Sequence, residues 1–357
     1  MTILGMAESN ALSQWLMSKS IIATVTAATG LVAAVIVGLF GCSSKQQGVV
    51  IYVSEDQVFS EPILRDFERD TGIRVMAVYD TEEAKSTGVM NRLLAEKNNP
   101  QADVYWANEP IRAEVLKQQG IAATYRSPSA QGIPANFEDQ QGYWTGFSAR
   151  ARVLIVNQAI PDKPKSITSY ANPASNGRAV IANPLFGTTT TEIAALFILW
   201  GDDKAKAFLA DMKRNNVKIA TSNGESADFV ASGQFAFALV DSDDAVNRMK
   251  QGKPVELIYP DQGDNELGCF IVPNAVVLIN GGRHPEAARK LADYLLSRET
   301  ERKLALSDAA QIPLHEGVDA PAPVRKIETI KTMKTDYASV ARKMQEIEPL
   351  LKQWVGY

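Results

Sequence analysis

From residue 49 the chain reads VVIYVS, then EPILRDFERDTGIRVMAVYD: a β-branched run, apolar positions at helical spacing, and a second β-branched run. Period two gives way to 3.6 and returns, the pattern of a β-α-β unit. The predicted helix spans roughly 60–71, with Ile63, Leu64 and Phe67 on one face and Gly72 as its stop. A helix around 86–97, a strand at 102–107 (ADVYWA) and a helix around 109–119 closed by Gly120 come next, then an aromatic-rich strand pair around 143–156. A second set starts near 150: AVIA (179–182), a helix through TEIAALFILW, the helix DKAKAFLADMKRN, the strand VKIAT, the helix ESADFVASG and the strand FAFALV. The run GCFIVPNAVVLI and one helix, PEAARKLADYLLSRETERKLAL, follow. Alternating strands and helices predict α/β layers with a largely parallel sheet, arranged as two lobes. The pattern shows no internal repeat, and TTTT is its one low-complexity spot.

A chain of 357 residues suits two domains or one divided into lobes. Its net charge of −4 supplies no basic stripe to neutralise phosphates, which argues against nucleic acid as a partner. Segment 21–41 carries no charge and follows Lys19, the composition of an export signal, and it is also long enough to span a bilayer. It ends in LFGCSS, which resembles the lipobox of bacterial lipoproteins; that implies a diacylated Cys42 at the mature N-terminus, with SSKQQG as tether. The alternative is an uncleaved transmembrane anchor. Acylation of Cys42 would leave Cys269 without a partner, so no disulfide is expected. His284 and His315 lack metal-ligand spacing, and no Walker loop, G-x-S-x-G or dinucleotide fingerprint occurs; neither an enzyme nor a cofactor is expected.

The order of elements carries more. A helix ending in TGIRV, the ADVYWA strand with an acidic residue after it, GFSARARVLIVN, and HPEAARKLADYLLSRETERKLA followed by QIPL resemble the solute-binding proteins of bacterial ABC importers. The chain is most similar to their ferric-ion-binding, transferrin-like branch, whose relatives also carry thiamine, aminophosphonates and sugar phosphates. The resemblance implies a two-lobed α/β fold of the type II periplasmic-binding-protein kind with a ligand cleft between the lobes. It places a signal peptide at 1–41, a tether at 42–48, one lobe at 49–149 plus 271–320 and the other at 150–270 plus 321–357. It also implies an ABC permease as partner, a small solute or ion as cargo, a monomer, and an envelope location held by the N-terminal lipid.

Carried over residue by residue, the branch's iron-binding histidine falls near Asp56, with Glu55 beside it, and its glutamate near Asn108, with Glu109 one residue on. Its two tyrosines fall on Asp243 and Asp244, in the run FALVDSDDAVNRM that also holds Asp241. Carboxylate and amide oxygens suit divalent cations, where phenolates suit ferric iron. A metal site of Asp56, Asp243 and Asp244 is therefore expected, its crowded charge relieved by a cation. Capping of the helix through AVNRM is the competing role for Asp243 or Asp244.

Thr188 and Thr189, after Gly187 at a helix start, read either as an anion site or, as Thr189-x-x-Glu192, as a capping box. Arg150 and Arg152 share one face of a strand and read as partners of that anion or as structural salt bridges. Asn223 falls where relatives in the resembled family place an amide on the anion; its alternative is a turn residue before Gly224. Tyr105, Trp106, Tyr143 and Trp144 read as core or as a stacking surface. The expected cargo is a metal cation, with or without a companion anion; the alternatives are a zwitterionic or phosphorylated organic solute, and a membrane-anchored sensor built on the same lobes.

Overall fold

A computed structural model describes residues 48–80 and 88–356. Strand β1 (Gly48–Val53) is followed by helix α1 (Gln57–Thr71), which buries Ile63, Leu64 and Phe67 and stops at Gly72 with φ 68°. Strand β2 (Arg74–Tyr79), helix α2 (Gly88–Ala95), strand β3 (Val104–Ala107) and helix α3 (Pro110–Gln118) complete the first set. β1 lies between β2 and β3, parallel to both. The short β4 (Ala122–Ala123) follows.

The segment expected to be a strand pair is instead one strand, β5 (Thr145–Asn157), 13 residues long and buried throughout. Its polar residues Ser148, Arg150 and Arg152 are buried with the rest, so they mark no turn. Beyond it come β6 (Ala179–Ala182), α4 (Gly187–Trp200), α5 (Asp202–Arg214), β7 (Lys218–Ala220), α6 (Asn223–Ala231), β8 (Phe237–Asp241), α7 (Ser242–Lys250), β9 (Val255–Ile258) and β10 (Ile271–Ile279). The single C-terminal helix expected from PEAARKLADYLLSRETERKLAL is two, α8 (Pro285–Leu295) and α9 (Arg298–Leu306). Ser297 breaks the run, its hydroxyl accepting from the Thr300 amide at 3.2 Å as an N-cap. Helix α10 (Tyr337–Val355) was not foreseen.

The sheet runs β2-β1-β3-β10-β5-β8-β6-β7, with β4 on β10 and β9 on β5. It is parallel only at its flanks: β10 is antiparallel to β3 and β5, and β5 to β8 and β9. The expectation of a largely parallel sheet fails at the centre, where β10 and β5 run antiparallel to their neighbours and β5 alone pairs on both flanks. Residues 145–151 of β5 pair with β10, and from Arg152 on the strand pairs with β8. Within the β10-paired part Ser148 takes φ 39°, opposite an irregularity in β10 between Pro273 and Asn274. Glu301 accepts the Ser148 amide at 2.7 Å, and the Asn274 amide donates to the Ser148 carbonyl at 2.6 Å. These bonds hold a backbone conformation that L-residues seldom adopt.

Tyr105, Trp106 and Trp144 are core, and Tyr143 packs against it half-buried. The Trp106 indole donates to Asn274 Oδ1 at 3.1 Å. Cys269 is a buried free thiol whose Sγ donates to the Arg152 carbonyl at 2.9 Å, and burial pushes its pKa up. Segment 21–41 and Cys42 lie outside the described residues. Among the described residues no helix is long and apolar enough to cross a membrane.

Candidate functional site

Parallel strands release their loops at one edge, so helices that follow them begin side by side. Here β6, β7 and β8 lead directly to the starts of α4, α6 and α7, while β1 and β3 deliver Glu55, Asp56, Asn108 and Glu109 from the other flank. Register then decides which side chains meet. Arg152 of β5 stands opposite Asp241 of β8, so both project from the same face as a cross-strand pair.

Arg152 is fully buried and is the hub of this edge. Its Nε donates to Glu192 Oε2 at 2.9 Å; Nη1 donates to Asp241 Oδ1 at 2.9 Å, Thr188 Oγ1 at 3.1 Å and Asn223 Oδ1 at 3.2 Å. Nη2 donates to Thr189 Oγ1 at 3.1 Å and to the Leu239 carbonyl at 3.4 Å. The Thr188 hydroxyl donates to Asp241 Oδ2 at 3.1 Å, and Asn223 Nδ2 donates to Thr188 Oγ1 at 3.1 Å. Thr188, Thr189 and Asn223 are thus together, as the sequence suggested, but Arg152 joins them rather than Arg150. No capping box forms: α4 begins at Gly187, two residues before Thr189, and Glu192 turns to Arg152.

Arg150, 7% exposed, points toward the other flank, where its Nη2 donates to the Asn108 carbonyl. Burial would lower its pKa, but the charges of Asp241, Glu55, Asp243 and Glu109 outweigh it. Glu109 accepts from the Thr191 hydroxyl at 2.9 Å and lies 3.3 Å from Arg112 Nε, so it ties α3 to α4. Glu55 Oε1 accepts from Gln311 at 3.0 Å.

Asp243 and Asp244 stand in the first turn of α7, and Asp241 occupies the N-cap position without a side-chain capping bond. Capping therefore does not account for the acidic run. One carboxylate oxygen from each of Asp241, Asp243 and Asp244 lies within 4.8 Å of the others. Their environments differ. Burial pushes the Asp241 carboxyl up, yet Arg152 and Arg150 overcome it and hold it below its ordinary value. Burial raises Asp243 to about 6, with Arg150 opposing and Asp241 and Asp56 adding to the rise. Asp244 is pushed well above the usual range by burial, then by Asp243 and Asp241, although Arg248 lies 3.5 Å away. Asp243 Oδ1 and Arg150 Nε are buried with no hydrogen-bond partner among the described residues.

Sequence reasoning missed the central role of Arg152 and the parts played by Glu192, Thr191 and Gln311. The alternation of SARAR marked Arg152; the signal it lacked was the register against Asp241, a non-local fact.

The edge-on meeting of strand ends from both flanks of a mixed α/β sheet is the architecture of a periplasmic binding protein. Residues 49–305 match the model of the bacterial extracellular solute-binding protein family, and the chain belongs to that family. It is similar to Iron uptake protein A1 of Synechocystis, 24% identical over 77% of this chain and 79% of that one. It is also similar to a putative 2-aminoethylphosphonate-binding periplasmic protein of Salmonella typhimurium, 25% identical over 67% of this chain and 69% of that one. Iron-bound HitA from Pseudomonas aeruginosa shares the fold at a TM-score of 0.75, with 21% identity, across 85% of this chain and 99% of that chain. The protein is thus a solute-binding protein of the ABC-importer type and not an enzyme.

Proposed function

We propose that the protein captures a hard metal cation in the envelope on Asp243 and Asp244, with Asp56 reaching from the opposite flank, and presents it to an ABC permease. The observation that carries this reading is the trio of carboxylate oxygens within 4.8 Å of one another, from which Asp241 is already neutralised by Arg152. Two carboxyls with raised pKa values and one oxygen without a partner remain. A cation relieves that repulsion and supplies the missing partner. An all-carboxylate donor set favours an oxygen-preferring ion such as Mn²⁺, Fe²⁺, Ca²⁺ or Mg²⁺ over metals that select nitrogen or sulfur. Periplasmic residence and a lipid on Cys42 complete the proposal.

Native mass spectrometry and elemental analysis of protein purified without added metal test it, followed by titration of those four ions. One metal per chain is expected. The double variant Asp243→Asn, Asp244→Asn should lose about a hundredfold or more in affinity; unchanged affinity would remove the acidic pair from the site. A zwitterionic organic solute is the second reading, supported by the unpartnered, buried Arg150 Nε, and a co-purifying phosphonate would establish it in place of the metal.

A further inference from the structure

We propose that the site takes its cation without a companion anion, because the carboxylate of Asp241 is a built-in counter-ion that fills the donor corner such an anion would need. The inference rests on the cation reading above and concerns what else must bind with the metal.

Every donor direction of Arg152 is spent within the protein. Nε goes to Glu192, Nη1 is shared among Asp241, Thr188 and Asn223, and Nη2 goes to Thr189 and the Leu239 carbonyl. The guanidinium is fully buried, so a dissolved anion has no face of it to approach. The Thr188 hydroxyl accepts from Arg152 and Asn223 and gives its one proton to Asp241 Oδ2. Asp241 is therefore gripped on both oxygens, one by a guanidinium and one by a hydroxyl in the first turn of α4. That is how a bidentate anion is held at a helix start.

Tethering makes this anion permanent. A free phosphate or carboxylate loses translational and rotational freedom on binding, whereas Asp241 is placed by the β5–β8 register. An outside anion would have to displace a buried, charge-assisted pair and leave Asp241 unpaired beside Asp243 and Asp244. Arg150 keeps one buried Nε–H without a partner, but that guanidinium stands among Asp241, Glu55, Asp243 and Glu109, whose charges oppose the approach of an anion. The excess of carboxylates over arginines around the acidic trio accordingly favours a cation arriving by itself.

Isothermal titration of the full-length protein with Mn²⁺, and in parallel with Fe²⁺ under anaerobic conditions, is run in a non-coordinating buffer free of phosphate, carbonate and citrate. It is then repeated with 1 mM inorganic phosphate. The expected result is a dissociation constant that changes less than twofold with phosphate, and no heat from phosphate alone. Asp241→Asn, which removes the built-in charge but keeps the shape, should make metal binding at least tenfold tighter with phosphate than without. Metal binding by the wild type that is tenfold tighter with phosphate overturns the inference and leaves the cation reading standing. Failure of Mn²⁺, Fe²⁺, Ca²⁺ and Mg²⁺ alike to bind under both conditions defeats the cation reading and this inference with it. Should Asp241→Asn not fold, the wild-type comparison decides alone.

Discussion

At the scale of single residues, the informative contrast is among three neighbouring carboxyls whose surroundings drive them apart. Asp241 is held ionised by Arg152 and Arg150, while Asp243 is raised from 3.8 to about 6, chiefly by burial. A carboxyl whose folded pKa is raised keeps its proton longer in the native state. Its contribution to stability is full below pH 3.8 and is lost as pH rises through about 6. Relative to Asp243→Asn, which also takes from Asp244 the charge that raises it, the ligand-free wild type should therefore lose about 2 kcal/mol or more of stability between pH 4 and pH 7. Urea unfolding of both proteins at a series of pH values measures it, and parallel curves would contradict it. Glu192, raised to about 7 by burial despite Arg152, tilts both proteins alike and cancels in the comparison. The acidic run was legible in the sequence because three aspartates within four positions at a strand end are conspicuous. Their unequal states were not, because the arginines that separate them lie about 90 residues earlier in the chain.

At the scale of elements, Arg152 joins β5 to α4, α6 and β8 through side chains that no local pattern connects. The burial that makes the pair strong also makes it costly to break. Arg152→Met keeps the volume but leaves Asp241 and Glu192 buried without their cation, and should cost about 3–5 kcal/mol in denaturant unfolding. A loss below about 1 kcal/mol would mean that the carboxyls simply take up protons and the tie is dispensable. The elements themselves show where sequence periodicity is sufficient. Helix α1 was readable because its apolar stripe and Gly72 are both local. The strand pair expected around 143–156 is one strand because the polar residues Ser148, Arg150 and Arg152 that interrupt its apolar run are buried along with it. The α8–α9 break was missed because Ser297 interrupts an apolar stripe that resumes almost in phase, and a capping bond is the only local mark. The antiparallel centre depends on β10 returning between β3 and β5, which propensity along the chain cannot express.

At the scale of the molecule, the flanks of the sheet are connected in two ways, and they should respond differently to mutation. One is continuous: β5 pairs with β10 on one flank and with β8 and β9 on the other, and α10 packs against α3 on one side and α4 on the other. The other is made of contacts that can part, such as the Thr191 hydroxyl on Glu109 at 2.9 Å beside the site and the exposed Lys250 on Asp308 at 3.0 Å farther out. Domain closure in a binding protein works when contacts of the second kind add to ligand binding without locking the empty protein shut. Thr191→Val removes a hydroxyl from a buried carboxylate at the meeting of the flanks, so it should favour separation there. Small-angle scattering is expected to show a larger radius of gyration for the ligand-free variant, and its affinity for the cation should fall about five- to tenfold, since the closed form must be reached from a less populated state. Lys250→Ala removes only a solvent-exposed pair and should change affinity about twofold at most. Equal effects from the two variants would show that the contact beside the site has no special part in closure, and that β5, β10 and α10 set the angle between the flanks by themselves.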